Sequence, residues 1–287
     1  MRVIAGIYKG QQLRALPGRA TRPTTDRVRE AWASSLMALR GAGFAGASVL
    51  DAFAGSGALG LEALSRGATR VLFADKNPGA VQVIRQNLTK LGLAEALNLS
   101  KAAPDPDRSA APEPSLPAAP EPSLPAAPQP SLPAALQSDS AVLQSSPTTA
   151  LGSAIPALSQ PTGPLATPQP NPTAMPRIQL LTLDVLAANP QSLAGPAPYD
   201  MVFLDPPYRL PRPVVWSFLA GLAAAQLLAD GCLVSYEHQN SSDPANGADR
   251  PERQPMANGW LVMVSCKAYG NTIVEYHRFL ATARKPD

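Results

Sequence analysis

The apolar run Tyr199-Asp200-Met201-Val202-Phe203-Leu204 is followed at once by Asp205-Pro206-Pro207-Tyr208. A run of this kind reads as a parallel strand buried on both faces. Two prolines at its carboxyl end carry no N–H, so the ladder cannot continue. The chain must leave the sheet at the edge where open α/β sheets bind ligands. There it displays one carboxylate, prolyl carbonyls that accept hydrogen bonds, and one aromatic face. That set suits an amino group on a flat ring: the carboxylate and a carbonyl take its two N–H bonds, and the ring stacks on Tyr208. A plain strand-ending turn would use the same residues, so this segment alone leaves both readings open.

A second motif lies upstream. Ser48-Val49-Leu50-Asp51-Ala52-Phe53 reads as a short strand, followed by Ala54-Gly55-Ser56-Gly57-Ala58-Leu59-Gly60 and an amphipathic helix through Arg66. Glycines there allow a tight turn and close approach of a ligand to the backbone at a helix amino end. Gly55, Gly57 and Gly60 also fit the dinucleotide pattern, with Asp75 near the end of the next strand, so a nicotinamide-dependent dehydrogenase competes. Asp51 argues against it, because a carboxylate just before the loop repels a pyrophosphate and welcomes an ammonium. A dehydrogenase also has no use for Asp205-Pro206-Pro207-Tyr208. S-adenosylmethionine fits both motifs, with its amino-acid end at the first loop and its ribose hydroxyls on Asp75.

Together with Arg22-Pro23-Thr24-Thr25-Asp26-Arg27-Val28-Arg29-Glu30, these segments resemble the bacterial 16S ribosomal RNA guanine-N2 methyltransferases. The arginine-rich segment is the specific part, since many amino-group methyltransferases share the other two. The resemblance implies a Rossmann-like, class I S-adenosylmethionine-dependent α/β fold with the exocyclic amine of one guanine as acceptor. It makes Asp205, Pro206, Pro207 and Tyr208 the catalytic candidates. The cofactor candidates are Asp51, Phe53, Gly55, Ser56, Gly57, Gly60, Asp75, Lys76 and Asp184. Arg22, Thr24, Arg27 and Arg29 are the RNA-binding candidates. The expected partner is 16S rRNA within an assembled or assembling small subunit, met by a cytoplasmic monomer without a metal or a membrane. Alternatives are an amino-methyltransferase acting on DNA adenine or cytosine or on protein glutamine, and a catalytically silent RNA-binding protein.

Composition bears on the domain organisation. The chain has 287 residues and 45% hydrophobic content, but its 33 prolines are too many for a compact α/β protein. Nineteen of them fall between Pro104 and Pro176, where Pro-Glu-Pro-Ser-Leu-Pro-Ala-Ala runs from Pro112 and repeats from Pro120. A segment so poor in periodic apolar residues cannot offset its ordering entropy. Residues 102–176 are therefore expected to be a disordered Pro/Ala/Ser-rich insertion. The catalytic domain is then 41–101 plus 177–287, preceded by a basic RNA-binding extension over 1–40.

That extension carries Arg2, Lys9, Arg14, Arg19, Arg22, Arg27, Arg29 and Arg40 against only Asp26 and Glu30, an excess larger than the formal net charge of +3. Basic clusters of this kind track phosphate backbones. Residues flanking Lys9-Gly10 read as a hairpin, and Thr24 or Thr25 as the cap of a helix from Asp26 to about Leu39. Arg27 and Arg29, two residues apart, cannot share a helix face. One is expected to be exposed for RNA and one can pair with Asp26 or Glu30. His238 and His277 read as isolated structural histidines, and Cys232 and Cys266 as buried thiols.

The remaining strands are expected at Thr69–Ala74, Ile178–Leu183, Cys232–Glu237, Trp260–Lys267 and Thr272–Phe279, with helices from Pro78 to about Leu91 and over 213–228. They complete a seven-stranded, mostly parallel sheet whose last strand is antiparallel. Asp184, at the end of the third strand, is either an acceptor for an adenine amine or a helix cap. Gln239 to Asn258 reads as a loop.

Overall fold

The computed structural model describes residues 1–16, 26–97, 175–239 and 252–282. Within them α1 (Asp26–Arg40) precedes β1 (Ser48–Asp51), α2 (Ala58–Ser65), β2 (Arg70–Asp75), α3 (Pro78–Lys90), β3 (Arg177–Thr182) and β4 (Tyr199–Leu204). There follow α4 (Arg212–Ala224), β5 (Leu228–Gln239), β6 (Arg253–Met256), β7 (Gly259–Tyr269) and β8 (Thr272–Ala281). The strands form one sheet in the order β3-β2-β1-β4-β5-β8-β7-β6. β1 to β5 pair in parallel, whereas β8 runs antiparallel to β5.

The apolar runs of β1, β2, β4 and the later part of β5 are continuous because these strands are buried on both faces. Val49, Phe73, Met201, Phe203 and Leu233 face α1, α2 and α3. Their neighbours Leu50, Leu72, Val202, Leu204 and Val234 face α4. Alternation along a pleat sends successive side chains to opposite layers, so both layers must be apolar. Trp32 fixes α1 on its layer: its ring meets Phe203 edge-on at 4.9 Å and its Nε1 donates to Ser235 Oγ at 3.2 Å. Removing so buried an indole typically costs about 3–5 kcal/mol.

Three expectations change. Among the described residues the sheet has eight strands rather than seven, because Arg253-Gln254-Pro255-Met256 pairs with β7 inside the segment read as a loop. It lies at the sheet edge, where a proline removes no needed hydrogen bond, and its polar sequence carries no strand period. The helix of the 213–228 region ends at Ala224, and β5 starts early at Leu228 because a bulge realigns its pairing with β4 between Tyr199 and Met201. Cys232 is buried as expected but Cys266 is exposed, on a strand of mostly intermediate and exposed residues.

The amino-terminal segment makes one antiparallel bridge, Arg2 to Gln12, in place of a regular hairpin. Its order comes from contacts with α2 and α3. Ile4 and Ala5 donate their N–H groups to the fully buried Glu62 carboxylate at 2.8 and 3.0 Å, and Arg14 N–H donates to Asn87 Oδ1 at 2.7 Å. A Cβ on Gly6 would stand 1.8 Å from the Ser65 carbonyl oxygen, so only glycine permits this approach. The expected insertion lies outside the described residues.

Candidate active site

The carboxyl ends of β1, β2, β4 and β5 open onto a cleft of about 850 Å³, a size suited to a nucleoside-like ligand. Phe53, Gly55 and Ser56 form one side of it, Asp205-Pro206-Pro207-Tyr208 a second, and Asp184 with its apolar neighbours a third. Five carboxyls line the cleft (Asp51, Asp75, Asp184, Asp205 and Glu237) against three basic residues (Arg29, Lys76 and Arg209). That balance favours a ligand bearing positive charge.

Asp51 is 2% exposed, and its Oδ2 accepts the Gly60 N–H at 2.9 Å. Burial pushes its carboxyl up to about 7; the Gly60 bond opposes this, and the charges of Asp205 and Asp75 add to it. A cation brought into the cleft would favour the ionised form. Asp75 accepts the Gly55 N–H on Oδ2 at 2.9 Å and the Asn77 N–H on Oδ1 at 2.8 Å, so it also ties the glycine loop to β2. Asp184 accepts the Leu186 N–H at 3.2 Å and approaches Lys76 Nζ at 3.7 Å. It caps a turn and also lines the cleft; no helix begins there among the described residues, so the helix-cap reading does not hold.

The glycines divide. Gly55 lines the cleft, but Gly57 and Gly60 stand behind its wall. Gly57 holds φ +79 at the amino end of α2, and a Cβ on Gly60 would meet the Phe73 ring at 2.2 Å. Both are required for the turn and for packing α2 on the sheet, and neither is among the residues that line the cleft.

On the second side, Tyr208 is 43% exposed and Pro206 is buried. The Pro207 carbonyl accepts the Leu210 N–H at 2.8 Å, which closes the turn. Asp205, Pro206, Pro207 and Tyr208 all line the cleft, so the structure brings the two sequence motifs to one site.

The arginine segment is split. Arg22 and Thr24 lie outside the described residues. Arg27 is exposed, as are Lys9 and Arg14. Arg29 is 2% exposed and donates Nη2–H to Asp26 at 2.7 Å, so it cannot be a surface contact to phosphate. It lines the cleft instead. Two-residue spacing on a helix places the pair on different faces, and α1 turns the Arg29 face to the sheet.

Glu237 was not foreseen. It is 9% exposed, lines the cleft and is pushed up to about 8 by burial and then by the Asp205 charge. Its signal was positional, because it lies near the carboxyl end of the strand beside β4. Behind the site, His238 and His277 are not isolated. Their Nε2 atoms lie 3.2 and 3.1 Å from the two oxygens of Glu275, which also receives Arg212 at 3.1 and 2.5 Å. Among the described residues no group of three or more His, Cys, Asp or Glu side chains is placed to hold a metal ion, and no helix is long and apolar enough to cross a membrane.

Comparison with known proteins agrees with this geometry. Residues 1–111 match the profile of the family described as "Conserved hypothetical protein 95". The chain is 47% identical over 95 residues to "Putative rRNA methyltransferase YlbH" of Bacillus subtilis, covering 33% of this chain and 50% of that protein. It is 38% identical over 104 residues to "Ribosomal RNA small subunit methyltransferase D" of Haemophilus influenzae, covering 35% and 52%. The chain thus spans about half the length of the curated relatives it matches. The solved structure titled "Putative methyltransferase yhhF from Escherichia coli" superposes with a TM-score of 0.54 at 22% identity, over 98% of this chain and 99% of that one. The chain therefore has the Rossmann-like class I methyltransferase fold, its residues 1–111 match one family model, and about a third of it is similar to the ribosomal RNA small subunit methyltransferase D of Haemophilus influenzae.

Proposed function

We propose that the protein transfers a methyl group from S-adenosylmethionine to the exocyclic N2 amine of a guanine in 16S rRNA. The observation that carries this reading is the meeting of Asp205-Pro206-Pro207-Tyr208 with the glycine loop in one acid-rich cleft. The group fits the donor set: Asp51 faces an ammonium, Asp75 ribose hydroxyls, and Asp184 an adenine amine. When bound, S-adenosylmethionine supplies a methyl group that is already electrophilic on its sulfonium.

The chain's own task is to prepare the amine, whose lone pair is delocalised into the base. Asp205 and the Pro206 carbonyl accept its two N–H bonds, which localises the lone pair and aims it. Tyr208, exposed at the cleft rim, stacks on the extruded base. Once the sulfonium methyl had been transferred to the amine, Asp205 or water would take the proton that the nitrogen gives up. Most of the acceleration comes from proximity and in-line orientation. Lys9, Arg14 and Arg27 are exposed and meet phosphates, which supply affinity while the pocket supplies base choice.

The test is incubation with methyl-labelled S-adenosylmethionine and separate pools of naked 16S rRNA, small subunits, DNA and ribosomal protein. Label is expected on N2 of one guanine in the RNA or in the subunits. Label confined to DNA or protein would overturn the reading.

A further inference from the structure

Strand β5 brings a second carboxyl to the side of the Asp205 turn. Leu204 pairs with Tyr236 in the parallel ladder, so Asp205 and Glu237 follow as neighbours across the two strands. By the alternation of the pleat, Glu237 shares a face with Ser235, the residue that receives Trp32 of α1. Among the described residues no hydrogen bond or ion pair reaches the Glu237 carboxyl, although only 9% of the residue is exposed. A carboxyl buried in this way is costly without a partner, and the missing partner is a ligand when the group lines a cleft. Its position beside Asp205 excludes a phosphate and calls for a second N–H next to the amine that Asp205 accepts. Among the described residues, Nε and Nη1 of Arg29, a residue that also lines the cleft, are buried without a hydrogen-bond partner.

Guanine meets these demands. Its N1–H adjoins the N2 amine, and O6 and N7 are acceptors, whereas adenine N1 and cytosine N3 would turn a lone pair toward a carboxylate. We propose that Glu237 accepts the N1–H of the target guanine and thereby sets the choice of base. This rests on the guanine-N2 reading above and assigns the specificity of that site to one residue. The titratable groups that act on or feel Glu237 are Asp205 on β4 and Tyr276 on β8, while Arg29 on α1 and Asp51 on β1 line the same cleft.

The test compares two acceptors that both carry the C2 amine. Small-subunit RNA bears either guanosine or 2,6-diaminopurine riboside at the position that the wild type labels; the latter has a lone pair at N1. At pH 8.5 Glu237 is mostly ionised, and the wild type should prefer guanosine by about tenfold or more in single-turnover rate. At pH 6.5 its proton can be donated to the diaminopurine N1, so the preference should narrow. The ratio cancels the titration of Asp51, which acts on both acceptors alike. Glu237→Gln, whose amide can accept or donate, should bring the ratio to within about threefold at both pH values. Cofactor binding measured by calorimetry establishes that the variant is folded, and the wild-type pH dependence stands without it. Equal rates for the two acceptors in the wild type at pH 8.5, or an unchanged ratio in Glu237→Gln, would overturn the proposal. A wild type that methylates no guanine at all would remove the guanine reading itself.

Discussion

Two buried glutamates on neighbouring antiparallel strands have opposite surroundings. Glu275 on β8 sits opposite Tyr236, one residue before Glu237 on β5. Burial alone would raise Glu275, but hydrogen bonds from His238 and His277 and the Arg212 charge outweigh it and hold its carboxyl well below the usual range. Glu237 has the burial without a donor among the described residues and is raised to about 8. Side chains of adjacent residues on a strand point to opposite faces, so one step along β5 exchanges the α4 layer for the cleft. A carboxylate supplied with every donor it needs holds the fold together. One left without donors is held ready for a ligand.

Several measurements break or sharpen this contrast. The largest effect is expected on the cleft side, where Asp205→Ala should lower single-turnover methylation by about 10³-fold or more. Calorimetric affinity for the cofactor should change little; near-normal turnover would show that the amine clamp is misassigned. On the other side, Glu275→Gln leaves Arg212 buried opposite a neutral group and should cost about 3–5 kcal/mol in denaturant unfolding. A cost below about 1 kcal/mol would mean that the network holds little of the fold.

Stability against pH separates the two glutamates by sign. The folded state keeps a proton on Glu237 that the unfolded chain loses near its ordinary value of 4.5, so native stability falls as pH rises from there to about 8. Glu237→Gln should therefore gain on the wild type across that window, on the order of a few kcal/mol at pH 8.5 and almost nothing at pH 4.5. Glu275, lowered in the fold, contributes its stability above its ordinary value of 4.5 and loses it only in acid. Thermal unfolding from pH 4.5 to 8.5 that moved Glu237→Gln and the wild type in parallel would refute the assignment.

Within the cleft, Asp51→Asn should weaken S-adenosylmethionine binding by about 1–3 kcal/mol, the worth of a charge-assisted bond. Wild-type affinity in that variant would leave Asp51 only its bond to Gly60. The smallest effect belongs to the outer surface. Arg27→Gln should flatten the salt dependence of RNA binding by roughly one unit of slope, with base choice unchanged. A slope identical to the wild type would take Arg27 off the phosphate path.

Much of this arrangement was legible in the sequence, for reasons that particular elements make plain. Tyr199–Leu204 was found to the residue because an apolar run ended by two prolines has one interpretation. Pro78 marked the start of α3 through its favourable first position, and Asn77 caps it with Oδ1 accepting the Gly79 N–H at 2.9 Å. β6 escaped notice because an edge strand needs neither periodicity nor freedom from proline. Gly60 packs against the Phe73 ring, which a pattern of glycines does not disclose, since it does not say whether a cofactor or a phenyl ring comes close. The two histidines looked isolated because Glu275 and Arg212, which join them to one network, are defined by strand pairing and not by spacing.

By itself the sequence determined the layers, the strand-ending carboxylates and the two motifs that face one ligand, since each depends on local period, on proline and on glycine. Only the tertiary structure decided the surroundings of each charge. It turned Arg29 inward and Arg27 outward, brought Arg212, His238 and His277 to Glu275, and set Glu237 beside Asp205, where no hydrogen bond from a described residue reaches it. The reason is physical: a carboxyl's desolvation and the donors within its reach come from strands and helices far apart in the chain, and no local pattern records which of them will meet.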